Sequence, residues 1–433
     1  MASKVNDGKV ASKQEALNSK LVEASERGDV NQVRELLEHT KVNPDVTIKR
    51  EGIAKNSLHL ACSYGQIAVA SQLLMEGVDP DQVSSMGRTP LHDACVGGHI
   101  ECVELLVEHV KNINRGDKDG LTAAHLAAYN GETECLSILS IKGARLVAED
   151  KKGRQPAHMS AMRNHVKILK LLFDLGVDLD CRCEAGRTPL HYASQYGGLA
   201  SLICLVERDC DTMMGDNGGC LAAHLAAKCN KIDCLRFLVK QGTGLDAVQG
   251  EGKALAHVAA YHGSGQVLHW LLEKGANPNF QDYYGNTPGH YAAESGKAEC
   301  LNCFLQHDGR MNIENLEGST VFDTARKHGH PLLVEKAVRN EVTCHLCYYH
   351  HEKEQWERKH QSAPVQKAMS KAKLTTYVSP LPHVRQTPSQ LQMNLKRREA
   401  LHKSQAKKLP TRDLAAKYYG NFLDPNETFK FHL

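Results

Sequence analysis

Aromatic side chains are scarce in this chain of 433 residues: they make up 5%, with only 2 tryptophans. That scarcity fits a thin core assembled from Leu, Ala and Val on small helices. No run approaches the ~18 apolar residues of a membrane span. The opening residues, Met1 to Ala16, contain no apolar stretch of the kind a secretory signal needs. Neither sign of charge dominates, since 53 Lys and Arg stand against 50 Asp and Glu. The chain also has no Walker-type loop, G-x-S-x-G elbow, H-E-x-x-H or paired-carboxylate motif. An enzyme is therefore not expected, nor a cofactor, and no residue is assigned a catalytic role.

What is present is a period. Gly87, Gly120, Gly153, Gly186, Gly219, Gly252, Gly285 and Gly318 recur every 33 residues, and His59, His92, His125, His158, His191, His224, His257 and His290 keep the same step. A strict period of this length marks a stack of identical supersecondary units, each presenting the same turn and packing face to its neighbour. Within the unit from Gly120 to Lys152, Ala123 to Ala128 form a helix-prone run ended by Asn130-Gly131. Leu136, Ile138 and Leu139 lie on a second helix that stops at Gly143, and a turn-rich connector leads to Gly153. Helices of about ten residues cannot stand alone, so the units must stack.

Thr89-Pro90, Thr188-Pro189 and Thr287-Pro288 spell helix starts. Threonine at the N-cap is expected to accept from an orphan N–H, and proline at the first helical position loses nothing. Gly143-Ala144 and Gly275-Ala276 suit a left-handed C-cap. Gly87-Arg88-Thr89-Pro90-Leu91-His92 and Gly186-Arg187-Thr188-Pro189-Leu190-His191, with the close Gly275-Ala276-Asn277-Pro278-Asn279, resemble the ankyrin-repeat family over residues ~51–330.

The resemblance implies an all-α solenoid of about ten helix-turn-helix units with hairpin loops, followed by a helical or disordered tail. It also gives the histidine ladder a structural role. The expected plan is a disordered N-terminus over 1–17 and an array over 18–341. Its units lie near 18–50, 51–86, 87–119, 120–152, 153–185, 186–218, 219–251, 252–284, 285–317 and 318–341. A projecting helix over 342–361 and a basic tail over 362–433 follow. Leu221 and Ala254 replace the capping threonine, so units seven and eight are expected to be the soft section.

By the same resemblance, partners bind hairpin tips and exposed positions of the first helices, on the concave face. Tyr129, Arg163, Tyr196, Tyr261, Tyr283 and Tyr284 are the candidate contacts there, because Tyr and Arg dominate interface energetics.

Fifteen cysteines form no compact disulfide framework, and Cys102, Cys135, Cys234 and Cys300 recur at one repeat position. They read as small buried filler, which implies a reducing compartment. Cys181, Cys183, Cys210 and Cys220 are read the same way. Cys344-His345-Leu346-Cys347 with His351 looks more like a zinc site. The segment reads as one continuous helix with Val334, Val338, Val342, Leu346 and Tyr349 on a stripe. One helix alone cannot supply a tetrahedral shell, so no metal is expected.

Residues 342–433 hold 16 Lys and Arg against 7 Asp and Glu, so the tail is basic and the array mildly acidic. A helix over 388–408 is expected to carry Lys396, Arg397 and Arg398, and Tyr418, Tyr419, Phe422, Phe429 and Phe431 mark a docking segment at the end. The expected function is a non-enzymatic adaptor, with the array holding one protein and the tail an acidic surface. A cytoskeletal or ciliary filament in the cytoplasm is favoured for the tail over nucleic acid. A nuclear or signalling adaptor, and a regulatory subunit that inhibits an enzyme, are the alternatives.

Overall fold

The computed structural model describes residues 2–349, apart from 40, 41, 44, 46, 51, 52, 340, 342 and 343. Ten helix pairs follow one another, from α1 (Ala2–Arg27) with α2 (Val30–His39) to α19 (Val321–Lys327) with α20 (Pro331–Val338). A short hairpin, β1 (Ile48–Arg50) with β2 (Ile53–Lys55), precedes the second pair, α3 (Ser57–Ser63) and α4 (Ile67–Met75). The next pairs are α5 (Pro90–Gly97) and α6 (Ile100–Val107), α7 (Ala123–Asn130) and α8 (Thr133–Ile141), and α9 (Pro156–Met162) and α10 (Val166–Asp174). Then come α11 (Pro189–Tyr196) and α12 (Leu199–Val206), α13 (Ala222–Lys228) and α14 (Ile232–Lys240), α15 (Leu255–His262) and α16 (Gly265–Glu273), and α17 (Pro288–Glu294) and α18 (Ala298–Gln306). The ten units expected from the period are present. The stretch 1–17, expected to be disordered, is instead helical from Ala2 onward, continuous with the first helix of unit one.

First helices pack on first helices and second helices on second helices. The first helix lies between two neighbours and its own partner, so it is buried almost all round; in α7 every residue from Ala123 to Ala128 is buried. Alanine permits that close approach. Second helices bury one stripe only, such as Cys135, Leu136 and Leu139 in α8. Leu73, Leu106, Leu139, Leu172, Leu205, Leu238 and Leu271 repeat one fully buried position. Each contributes about 2 kcal/mol of apolar burial. Unit nine puts Phe304 there, and Gly289 makes room for it: a Cβ on Gly289 would lie 2.7 Å from the ring.

Successive hairpins are joined tip to tip by backbone bonds. Lys118 donates to Met86 (3.0 Å), Lys151 to Asp119 (2.9 Å), Glu184 to Lys152 (3.0 Å) and Asn217 to Ala185 (3.1 Å). Gly250 donates to Gly218 (3.1 Å), Tyr283 to Glu251 (3.3 Å) and Leu316 to Tyr284 (2.9 Å). The periodic glycines make this possible. Gly120 and Gly153 have φ of +82° and +68°, and a Cβ there would lie 2.9 Å from Lys151 N and 2.7 Å from Glu184 N.

The histidine ladder is a set of clamps between units. His92 Nε2 lies 3.0 Å from the Leu121 carbonyl, His125 Nε2 2.9 Å from that of Arg154, and His191 Nε2 2.9 Å from that of Cys220. A carbonyl only accepts, so Nε2 carries the proton and Nδ1 is the acceptor. Nδ1 takes the N–H of the residue before the helix, from Thr89 at 3.1 Å to Thr287 at 3.0 Å. The threonine hydroxyls of Thr89, Thr122, Thr188 and Thr287 also meet this Nδ1, at 2.8 to 2.9 Å. That corrects the expected capping role: at these four positions the hydroxyl serves the histidine, not an orphan N–H. Thr320 does accept from the Asp323 N–H at 3.3 Å, in the unit where the ladder histidine is missing.

In unit eight the clamp survives without the hydroxyl, His257 Nε2 lying 3.0 Å from the Asn286 carbonyl, whereas in unit seven His224 Nε2 lies 3.0 Å from the Ala247 carbonyl of its own unit. His224 Nδ1 accepts from Leu221 N–H at 3.2 Å and His257 Nδ1 from Ala254 N–H at 3.0 Å. In unit eight the deficit is therefore one hydroxyl bond. Ala254→Thr is expected to raise the stability of unit eight by about 1 kcal/mol. Amide hydrogen exchange over α15 and α16 would show it as slower opening; unchanged or faster exchange there would count against a soft section of this origin.

Candidate partner-binding face

Hairpin tips and the ends of first helices carry several exposed tyrosines. Tyr283 and Tyr284 sit on one tip and are 69% and 54% exposed. Tyr196 and Tyr261 lie at the ends of α11 and α15, 51% and 42% exposed. Tyr283 lies over Gly252 of the preceding tip, where even a Cβ would meet its ring at 2.5 Å. Side-chain rigidity of this kind lowers the entropy lost when a partner binds.

Tyr261 helps line a cleft of about 290 Å³ with Lys228, Lys253, His262, Tyr291 and Glu294. Its ring meets that of Tyr291 edge-on at 5.9 Å and that of His262 at 5.1 Å, while Lys253 Nζ stands 4.9 Å from the Tyr291 centroid. Tyr291 donates to Asp282 at 2.6 Å, and burial together with that carboxylate pushes its phenol well up, so it stays neutral. The arrangement suits an aromatic or amphipathic side chain inserted from outside, with lysines at the rim. Tyr129 and Arg163, in units four and five, meet as a cation–π pair at 5.0 Å. The candidates thus fall into separate groups: Tyr129 with Arg163, Tyr196 alone, Tyr261 in the cleft, and Tyr283 with Tyr284 on a tip.

The cysteine patch divides among different partners. Cys181 Sγ is 3.8 Å from His158 Nδ1, Cys183 Sγ 3.6 Å from the Tyr192 hydroxyl, and Cys220 Sγ 2.6 Å from Gln249. All fifteen cysteines are free thiols. Burial pushes the Cys181 thiol well up and that of Cys220 to about 11, so both are unreactive near neutrality.

Beyond α20 the chain departs from the expected continuous helix. The Glu341 N–H donates to the Lys336 carbonyl at 2.9 Å, a bond that closes a helix end. A new helical turn spans 345–349. Cys344 is buried against the second-helix layer, and its N–H donates to Asn302 Oδ1 at 3.0 Å. The stretch through Tyr349 therefore folds onto α18 instead of projecting. Cys347 comes beside His269 of α16 and Cys303 of α18. Sequence reasoning missed His269 and Cys303 as partners of the C-x-x-C. A signal was available: the repeat position of His269 and Asn302 carries exposed Glu104, Lys170 and Arg236 elsewhere, yet His269 and Asn302 are 5% and 1% exposed. His351, the proposed helix over 388–408 with Lys396, Arg397 and Arg398, and the aromatic end lie outside the described residues.

Units that pair two short antiparallel helices, clamp to the next unit through a histidine and join tip to tip define a helical repeat solenoid. A family model described as "Ankyrin repeats (3 copies)" matches residues 58–150, 143–216, 158–249, 195–282 and 256–344. The matches span well over half of the chain, which belongs to the ankyrin-repeat family. No curated protein matches it. Ankyrin repeats generally mediate protein–protein interaction. No helix among the described residues is long and apolar enough to cross a membrane.

Proposed function

We propose that this protein is a non-enzymatic adaptor whose array grips one protein through its tyrosine-bearing face. Its basic tail attaches to a second, acidic surface. The observation that carries the first half is the exposure of Tyr196, Tyr261, Tyr283 and Tyr284 on tips and first-helix ends. Buried positions are used by the scaffold, whereas these rings are left uncovered, with Tyr261 and Tyr283 also packed against neighbours. The second half rests on charge, 16 basic against 7 acidic residues after 341. A cytoskeletal filament is the favoured acidic surface, and a cytoplasmic location follows from it.

Tyr261→Ala with Tyr283→Ala and Tyr284→Ala tests the array. Each ring is expected to contribute about 1–2 kcal/mol, so the triple variant should lose its partner almost entirely. Proximity labelling of the variant, of the wild type and of a chain ending at 358 separates the two halves. One set of proteins should vanish with the tyrosines and another with the tail. Identical labelling in all three would defeat the adaptor reading. For the tail, co-sedimentation with microtubules or actin should fade as salt rises and drop in the Lys396→Ala, Arg397→Ala, Arg398→Ala chain. Absence of sedimentation at low salt removes the filament.

A further inference from the structure

We propose that His269, Cys303, Cys344 and Cys347 form a structural zinc site that fastens the chain after α20 to the second-helix layer of units eight and nine. The four ligand atoms lie within 4.8 Å of one another and come from three separate elements: α16, α18 and the turn after α20. The objection that one helix cannot complete a tetrahedron is met, because the array supplies the two missing ligands.

The spacings are those of a tetrahedron's edges. Zinc–sulfur bonds of about 2.3 Å and zinc–nitrogen bonds of about 2.0–2.1 Å place ligand sulfurs ~3.8 Å apart and sulfur and nitrogen ~3.6 Å apart. Cys303 Sγ lies 3.8 Å from Cys347 Sγ and 3.8 Å from His269 Nδ1, and His269 Nδ1 lies 3.2 Å from Cys347 Sγ. With all four ligand atoms within 4.8 Å of one another, shifts of at most about 1 Å complete the shell. Thiolate and imidazole donors select zinc over magnesium or calcium, and four protein ligands leave no open position for catalysis.

The surroundings hold the ligands in place. His269, Cys303 and Cys344 are buried, while half-buried Cys347 faces the edge and gives an ion a way in. Asn302 accepts from the Cys344 N–H at 3.0 Å and donates to the Ala337 carbonyl at 3.4 Å, fixing where the segment lands. The Tyr348 N–H donates to the Cys344 carbonyl at 3.0 Å, which forms the turn that sets the C-x-x-C pair on one side. His307 Nε2 stands 3.8 Å from Cys347 Sγ, and its ring meets that of His269 edge-on at 5.4 Å. Three thiolates exceed the charge of a divalent ion by one, and an N–H from His307 to sulfur offsets that excess. On binding, each thiol that starts protonated releases its proton to solvent as its Zn–S bond forms.

Elemental analysis of the full chain, purified under reducing conditions without chelator, is expected to find about one zinc per molecule. Cys303→Ser and Cys347→Ser should each lower this at least tenfold, while Cys229→Ser, remote from the cluster, should not. Cobalt added to the stripped wild-type chain should give the intense ligand-field absorption of a tetrahedral thiolate site, a readout that survives even if the variants fail to fold. A folded wild-type chain that holds no zinc and gives no such spectrum overturns the proposal. So does a Cys303–Cys347 disulfide that persists in reducing buffer.

Discussion

Acidification from pH about 7.5 to about 4.5 should destabilise the array by several kcal/mol. The cause is the histidine ladder. Burial holds His158, His224 and His257 down to about 4, against an ordinary value of 6.5, and lowers His92, His125, His191 and His290 in the same sense. The unfolded chain takes up protons near 6.5 while the folded chain refuses them until about 4. The stability is therefore complete above 6.5 and is lost as pH falls between the two values. Each of His158, His224 and His257 contributes on the order of 3 kcal/mol at the bottom of that window. Those three stand opposite Gln155, Leu221 and Ala254, where the threonine hydroxyl is absent. A hydroxyl can turn to accept from a protonated Nδ1, whereas a backbone N–H cannot. Asp150 and Asp216, held below 3.8 by hydrogen bonds and by Arg154 and Arg187 despite burial, act at lower pH and do not confuse the reading. Urea unfolding followed against pH should therefore show falling stability through this window. Hydrogen exchange should place the earliest softening in α9 and in α13 through α16. A flat profile from 7 to 5 would mean that the ladder is not held neutral by burial.

A comparably large effect is expected from a single methyl group. Gly153→Ala should destabilise by about 3 kcal/mol, and Gly143→Ala by about 1 kcal/mol. Both glycines have positive φ, +68° and +84°. The difference lies in what surrounds them. A Cβ on Gly153 lands 2.7 Å from the Glu184 backbone nitrogen, on the neighbouring tip, whereas nothing lies within 4 Å of one on Gly143. The Glu184 N–H also makes the bond to Lys152 that joins the two tips, so the methyl group would push these neighbouring tips apart. Chemical denaturation of the two variants side by side measures the contrast. Equal losses would show that φ strain alone, and not the tip-to-tip contact, fixes glycine at this period.

The period carried most of the architecture. Glycine, histidine and buried leucine each recur because each unit repeats one local problem, so ten units could be read from residue spacing. Two features were hidden for physical reasons. The bond made by a threonine hydroxyl depends on where the histidine ring turns, and spacing does not report that. The meeting of His269, Cys303, Cys344 and Cys347 depends on the chain reversing after Val338. A helical stripe through Val338, Val342 and Leu346 argued for the opposite. Departures from the repeat were the usable trace: a buried His269 and Asn302 at a position that three other units fill with exposed Glu104, Lys170 and Arg236. The exposure of Tyr196, Tyr261, Tyr283 and Tyr284 was legible from their repeat positions, whereas Tyr129 is half-buried against the core, and the division of these residues into cleft, tip and cation–π pair was not legible.

The reversal after α20 also decides how the molecule would carry a load. Tension applied to the chain beyond residue 349 does not enter through the last unit. It meets the turn bearing Cys344 and Cys347, which is lodged against α16 and α18. With the site filled, the force passes by way of metal–ligand bonds into units eight and nine, and α19 and α20 form a slack loop outside the load path. A tether anchored there would resist peeling from its end, the route by which a stack of independent repeats otherwise comes apart.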